Sequence, residues 1–182
     1  MIYSIGLVEL NSIAKGYEAA DIMVKTAEVE IITATTVCPG KYYVLVSGEV
    51  AAVENSVQAG IRIGKQYVID DFILANVHPD IFPAITGTTS IENLGSLGIL
   101  ESFTISSMII AADAALKAAN VEAIELRLGY GIGGKSYFTM TGDVAAVEAA
   151  VEAGAKKAIE KGFLVEKVVI PSPSIKLKKF IY

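Results

Sequence analysis

The sequence contains no tryptophan, one cysteine, Cys38, and one histidine, His78, among its 182 residues. A single cysteine cannot form a disulfide within the chain, which suits a reducing compartment, and a single histidine excludes a histidine-cluster metal site in one chain. No apolar run approaches the roughly 18 residues that a membrane-spanning helix needs. The net charge of −5, without a basic stripe, argues against a nucleic-acid partner. We therefore expect a cytosolic protein that binds neither membrane nor nucleic acid.

What the sequence does contain is a long internal repeat. Residues 4–30 align with 96–122 with 11 of 27 positions identical, and residues 39–60 align with 133–154 with 12 of 22 identical. This period is far longer than the 20–50 residues of solenoid repeats, so it indicates a duplicated domain. Hydrophobic residues make up 53% of the chain, and we expect them to cover subunit interfaces as well as a core.

Each copy has the same predicted pattern of strands and helices. Helical spacing of Ile13, Tyr17, Ala20 and Val24 predicts a first helix after the first strand, and "GEVAAVE" and "GDVAAVE" open the second helix. The predicted strands are 2–10, 31–37, 41–47 and 66–74 in the first copy, and 97–101, 123–128, 135–141 and 163–170 in the second. The pattern predicts an α/β fold of two tandem domains, 1–88 and 95–182, each a mainly antiparallel sheet with helices packed on it. A Pro/Gly/Thr-rich linker is predicted at 76–95.

The glycine-rich stretch "GYGIGG", residues 129–134, is followed by a strand-like segment. A phosphate-binding loop would be followed by a helix whose first amides face the ligand. We therefore interpret the stretch as a hairpin turn in which glycines allow positive φ. Around a symmetry axis such a turn would form a constriction.

No catalytic constellation is apparent. Neither a Ser/His/Asp nor a Cys/His pair stands out, and nothing near Cys38 would activate its thiol. Glu9 and Glu101 recur after a buried strand and are interpreted as structural carboxylates. Asp21 and Asp113 also recur and are expected to face solvent or a subunit contact. We therefore predict that the protein is not an enzyme.

Cys38 lies on a Pro-Gly turn, "TTVCPGK", whose second copy holds Ile132 instead. A free cysteine is most often a small buried hydrophobe, and this alternative stays open. Tandem domains often form rings because the same contact is reused around an axis. A threefold ring would bring three Cys38 thiolates together, and soft thiolates bind iron–sulfur clusters or zinc. A four-iron cluster would then need a water or small ligand at its fourth iron.

Several segments carry a resemblance to a known family. "GLVELNSIAKGYEAADIMVKTAEVE", "PGKYYVLVSGEVAAVENSVQAG", their second copies and "VIPSPS" resemble bacterial microcompartment shell proteins, in the tandem-domain branch that forms trimers. "TTVCPGK", "LANVHP" and "GYGIGGK" are similar to an iron–sulfur member of that branch. The resemblance implies a pseudo-hexameric homotrimer in which Cys38 of three subunits holds one 4Fe–4S cluster.

The resemblance also implies site residues and partners. Lys25 and Lys117 would make the edge contacts that tile hexagons into a sheet, where Asn76 and Ser172 replace the family's usual arginine. The central opening would be lined by Val37, Cys38, Pro39 and Gly40 of the first copy and by Ile132, Gly133 and Gly134 of the second. The implied function is a structural shell tile that transfers electrons across the shell, with other shell proteins at its edges and an encapsulated redox enzyme as a further candidate partner. The alternative is a cluster-free tile whose pore conducts a small metabolite.

Overall fold

The computed structural model describes residues 4–91 and 93–181, and it divides the chain into two compact units. The first unit comprises residues 1–77 and the second comprises residues 78–182. Each unit holds four strands and two long helices in the same order along the chain. The predicted duplication is therefore visible as two copies of one fold.

The first unit follows the predicted order with small shifts at the element ends. Its elements are β1 (Ser4–Leu10), α1 (Ile13–Thr26), β2 (Glu30–Val37), β3 (Lys41–Gly48), α2 (Val50–Gly64), a 3₁₀ turn (Lys65–Tyr67) and β4 (Val68–Leu74). Sequence reasoning began the last strand at residue 66, but that part of the chain forms the 3₁₀ turn. The start of the first predicted strand, residues 2–3, lies outside the described residues.

The second unit repeats this order after one additional helix. Its elements are α3 (Ile81–Thr86), β5 (Ser96–Ser102), α4 (Ile105–Ala118), β6 (Glu122–Leu128), β7 (Ser136–Gly142), α5 (Val144–Glu160), β8 (Leu164–Ile170) and a 3₁₀ turn (Lys178–Phe180). Helix α3 lies inside the predicted linker and buries Ile81 and Ala84. Because α3 packs against β6, residues 78–88 belong to the second compact unit, whereas the sequence boundary placed them in the first domain.

Both sheets are fully antiparallel and have equivalent strand orders. The first is β2-β3-β1-β4 and the second is β6-β7-β5-β8. Matched registers place Glu9 opposite Tyr43 and Glu101 opposite Tyr137. The predicted α/β architecture of mainly antiparallel sheets with packed helices is confirmed.

The core of the first unit lies between its sheet and its helices. Strand side chains such as Val8 and Tyr42 pack in one cluster with Met23 of α1 and Val57 of α2. Burial of such side chains stabilises each unit by about 1.5–3 kcal/mol per large apolar residue.

The helix predicted from apolar spacing is confirmed as α1, but most of those apolar residues do not face the core. The buried residues of α1 are Gly16, Ala19, Ala20 and Met23, whereas Ile13, Tyr17 and Val24 are exposed. The buried face consists of small residues because the helix lies close to the sheet: a Cβ added to Gly16 would come within 2.3–2.5 Å of three Tyr42 atoms. Of the four apolar residues whose spacing predicted the helix, only Ala20 is buried.

Candidate functional site

Cys38 lies at the tip of the hairpin that joins β2 to β3. Val37 before it is buried, Cys38 itself is half-buried, and Pro39 and Gly40 are exposed. The turn closes through the Gly40 amide, which donates to the Val37 carbonyl at 3.0 Å, and Gly40 adopts a φ of +87°. The Cys38–Pro39 peptide bond is cis. These four predicted pore residues are therefore contiguous on one turn, with the thiol near its surface.

The corresponding turn of the second unit is longer and is formed largely by backbone. Gly129, Gly131, Gly133 and Gly134 all have positive φ, which confirms a turn that depends on glycine. The Gly129 amide donates to the Lys135 carbonyl at 3.0 Å and closes the loop. Ile132 is half-buried, Gly133 is exposed and Gly134 is buried. The three predicted residues of this copy thus share one turn, in which an isoleucine stands where the first unit has its thiol.

An ion pair supports each turn, and sequence reasoning missed the lysine in both. The Lys41 ammonium lies 2.6 Å from the Glu9 carboxylate, and the Lys135 ammonium lies 2.5 Å from Glu101. The Glu9 side chain is only 3% exposed, whereas that of Glu101 is 31% exposed. The structural role predicted for the two glutamates agrees with this pairing. The signal in the sequence was the lysine that recurs directly after both turns.

Two tyrosines on the neighbouring strands have raised pKa values, mainly because they are buried. Burial, together with a smaller contribution from the charge of nearby Glu9, raises the pKa of Tyr43 to about 12, although a hydrogen bond with Thr33 opposes the shift. Burial also raises the pKa of Tyr137 to about 12, and its hydroxyl donates to Glu125 at 2.6 Å. Both hydroxyls therefore lose their protons only well above neutral pH, and that of Tyr137 donates to Glu125.

The predicted tile-edge residues are exposed or half-exposed. Lys25 and Lys117 occupy matched positions in the last turns of α1 and α4 and bind Asp21 and Asp113, each at 2.6 Å. Asn76, with a φ of +54°, and Ser172 follow the last strand of their units and are also exposed.

Of the two surroundings expected for Asp113, solvent or a subunit contact, the structure excludes solvent. The Asp113 side chain is 7% exposed, because it accepts both the Lys117 ammonium and the backbone amide of His78, the latter at 2.8 Å. Asp21, its copy, does face solvent as expected. The Nδ1 atom of His78 accepts the Asp80 amide at 3.3 Å, so the one imidazole helps to shape the segment before α3.

A polar network on the second sheet was not identified from the sequence. Arg127 donates to one Glu125 oxygen at 2.6 and 2.8 Å, and Tyr137 donates to the other. Together with Phe180 and other residues, this network lines a cavity of about 300 Å³. The first copy has Thr33 and Thr35 at the places of Glu125 and Arg127, so the repeat comparison alone could have shown the network as a departure.

The described part of the chain, residues 4–91 and 93–181, contains no group of three or more His, Cys, Asp or Glu side chains that could hold a metal ion. Among the same residues, no helix is both long enough and apolar enough to span a bilayer.

Comparisons with known proteins identify the fold and its context. The BMC domain family matches residues 4–77 and 96–173, one match in each half of the repeat. The chain is 40% identical to the bacterial microcompartment shell protein PduT of Citrobacter freundii, over 95% of this chain and 94% of that protein.

Two solved structures are similar along most of the chain. The crystal structure of a microcompartment protein from Desulfitobacterium hafniense DCB matches with a TM-score of 0.94 and 55% identity, covering 98% of this chain and 99% of the other. A fused permuted hexameric shell protein from the RMM microcompartment matches with a TM-score of 0.63, covering 87% and 82%. Because its identity is 24%, it supports the fold alone.

These matches confirm the resemblance drawn from the sequence, including its two tandem domains and its place among microcompartment shell proteins. The chain belongs to the BMC domain family and is a tandem-domain shell protein of a bacterial microcompartment.

Proposed function

We propose that three copies of the chain form a pseudo-hexameric shell tile whose centre holds one 4Fe–4S cluster between three Cys38 thiolates. The observation that carries the proposal is the position of Cys38, half-buried at the tip of an exposed hairpin turn. Since the described residues offer no other cluster of ligands in one chain, a shared site at a rotation axis supplies the missing thiolates.

The donor set fits such a group. Three thiolates match three iron sites of a cubane cluster, and a water or small ligand would complete the fourth. When bound, such a cluster supplies one-electron transfer, which would pass electrons across the shell. The chain's own contribution is to present the thiol on a short turn that the Glu9–Lys41 pair anchors to the sheet.

The tile edges would be formed by Lys25, Lys117, Asn76 and Ser172. All four are accessible, so they can meet neighbouring tiles, including those of other shell proteins. In a non-enzymatic tile of this kind, an encapsulated redox enzyme would be the partner that exchanges electrons with the cluster.

The second candidate function is a tile without a cluster, whose central opening conducts a small metabolite. The glycine turn of the second unit favours it, because a Cβ added to Gly131 or Gly133 would have no other group within 4 Å. Turns that present backbone and little side chain leave room at an axis for a passing solute.

Iron and sulfide analysis of anaerobically purified protein separates the two functions. Wild-type protein should be brown, with broad visible absorption and one 4Fe–4S cluster for every three chains, and Cys38→Ser should lose both iron and colour. Ile132→Ser is the matched control at the same place in the second turn and should retain the cluster. The mass of the native particle is measured for all three proteins.

The possible results discriminate clearly. A colourless, iron-free wild-type trimer would contradict the cluster and favour the pore alternative. Iron that persists in Cys38→Ser would contradict Cys38 as the ligand, and a particle without threefold symmetry would contradict the tile.

A further inference from the structure

The two matched helices α1 and α4 differ in how much of their surface the chain itself covers. Helix α1 leaves an apolar strip of Ile13, Tyr17 and Val24 exposed, with Tyr17 64% accessible. The residues at the same places in α4 are Ile105, Ile109 and Leu116, and all three are buried. An exposed apolar strip at the place where the other copy is covered indicates a surface that binds something.

The carboxylates beside these strips differ in the same way. Asp21 is 55% exposed and Asp113 only 7%, although each binds the lysine one turn later at 2.6 Å. The backbone amide of His78 accounts for part of the difference, because it donates to Asp113 at 2.8 Å. The segment that follows β4 therefore caps the carboxylate of the second unit.

That segment also covers the neighbouring strand. Helix α3 packs against β6 and α4 and buries Ile81 and Ala84. Ala123 of β6 is buried, whereas Ile31, its copy in β2, is 44% exposed. Within the second unit, the segment that begins at His78 and continues into α3 thus donates to the Asp113 carboxylate and covers β6, the edge strand of the sheet.

The chain carries a second segment of this kind after β8. Counted from the strand ends at Leu74 and Ile170, Ser174 corresponds to His78 and Leu177 to Ile81. Ile175, Leu177 and Phe180 are exposed in this segment. Phe180 borders the cavity beside Tyr137, whereas Ile175 and Leu177 lack the cover that Ile81 of α3 has.

Charge favours the first unit as the surface for this segment. The segment bears Lys176, Lys178 and Lys179 at the places of Asp80, Phe82 and Pro83. The first unit offers an exposed carboxylate near the strip, since Glu28 is exposed where the second unit has Asn120. Lysines facing carboxylates steer two surfaces into the correct register.

We propose that residues 174–181 of one copy dock on α1 and β2 of the next copy, with the Ser174 amide donating to Asp21 and Leu177 covering the apolar strip. The inference rests on the proposed ring of copies and names the segment that links one copy to the next. This contact between two chains has the same form as the contact that His78 and α3 make inside the second unit.

Disulfide trapping tests the contact directly. In a Cys38→Ser background, Asp21→Cys combined with Ser174→Cys should give covalent dimers and trimers on a non-reducing gel. Mixing tagged and untagged chains before oxidation shows that the bond joins two copies. Asp113→Cys with His78→Cys is the matched control for the same geometry inside one chain, where a disulfide should form without joining chains. A bond requires Cα separations of about 4.4–6.8 Å.

A second measurement does not depend on disulfide geometry. Leu177→Asp should weaken association about tenfold or more, measured by sedimentation, because it places a charge on the apolar strip. Hydrogen exchange should accelerate in α1 and stay unchanged in α4. Ile159→Asp, another exposed apolar position, is the control and should leave exchange in α1 unchanged.

The outcomes separate this inference from the proposed tile. A threefold particle without interchain bonds and with unchanged α1 exchange in Leu177→Asp would overturn the docking and leave the tile intact. An intrachain bond between positions 21 and 174 would show that the segment folds onto its own first unit, which also overturns it. A monomeric protein at every concentration would overturn the tile and the docking together. If the control pair does not oxidise, the exchange result decides.

Discussion

The ion pair behind the Cys38 turn should be far more sensitive to the loss of its lysine than its copy in the second unit. Lys41→Met removes the ammonium that lies 2.6 Å from Glu9 and leaves a carboxylate whose side chain is 3% exposed. Lys135→Met makes the same change beside Glu101, which is 31% exposed. The chain thus provides a matched pair of variants that differ mainly in burial.

The magnitudes follow from the solvation of the remaining carboxylate. Removing one partner of a buried pair costs about 3–5 kcal/mol, because an uncompensated charge stays inside the protein. Water reaches Glu101 and its half-exposed lysine, so loss of that pair should cost about 1 kcal/mol or less. The two single variants should therefore differ by about 2–5 kcal/mol. Adding Glu9→Gln to Lys41→Met removes the buried charge and should restore most of the loss.

Guanidinium unfolding followed by circular dichroism measures these free energies. All variants are compared at one protein concentration, because association adds stability that depends on concentration. Equal losses in the two single variants would refute the reasoning from burial. Failure of the double variant to recover would show that the lysine stem, rather than the charge of Glu9, stabilises the turn.

We make three further predictions, for Tyr43→Phe, Gly16→Ala and Thr141→Val. The raised pKa of Tyr43, about 12, means that the folded protein holds this proton more tightly than the unfolded chain. Its contribution of about 1–3 kcal/mol should therefore be full below about pH 10 and be lost as pH rises towards 12, and Tyr43→Phe should flatten unfolding curves measured over that range. Gly16→Ala should destabilise the protein by about 1–3 kcal/mol, because the new Cβ would meet the Tyr42 ring, and adding Tyr42→Leu should recover part of the loss in the same unfolding assay. Thr141→Val should cost about 1–3 kcal/mol in thermal unfolding, since the hydroxyl that bonds two backbone groups disappears from a buried site; no loss would show that water replaces it.

Local patterns were sufficient for the elements of the fold but not for their buried faces. Turn residues and alternating or continuous apolar runs predicted the eight strands within a few residues, because these signals lie within each segment. The apolar spacing predicted α1 but not its buried face, since Tyr17 is apolar enough for a core yet lies on the exposed side. Gly16 faces the sheet instead, because only a residue without a Cβ fits beside Tyr42. Such a choice depends on how closely two elements approach, which no local pattern contains.

The candidate site was predicted only in part, again because the sequence shows local features and not the contacts between distant residues. Cys38 and the glycine turn were found because each is unusual in its own stretch of sequence. The lysine of each ion pair was missed, because it lies on a different strand from its glutamate. In the polar network on the second sheet, Tyr137 also lies on a different strand from Glu125, whereas Arg127 is only two residues away and was missed although the repeat comparison could have shown it. The linker was predicted as irregular, yet six of its residues form α3 once β6 offers a surface to cover.

By itself the sequence determined the duplication, the order of strands and helices and the lone thiol on its turn, since repeats, periodicity and turn chemistry are properties of consecutive residues. Only the tertiary structure decided which carboxylates are buried, which face of each helix is covered and which copy of a matched residue is exposed. Those outcomes are set by the distances between elements far apart in the chain, where two identical residues such as Asp21 and Asp113 have different neighbours.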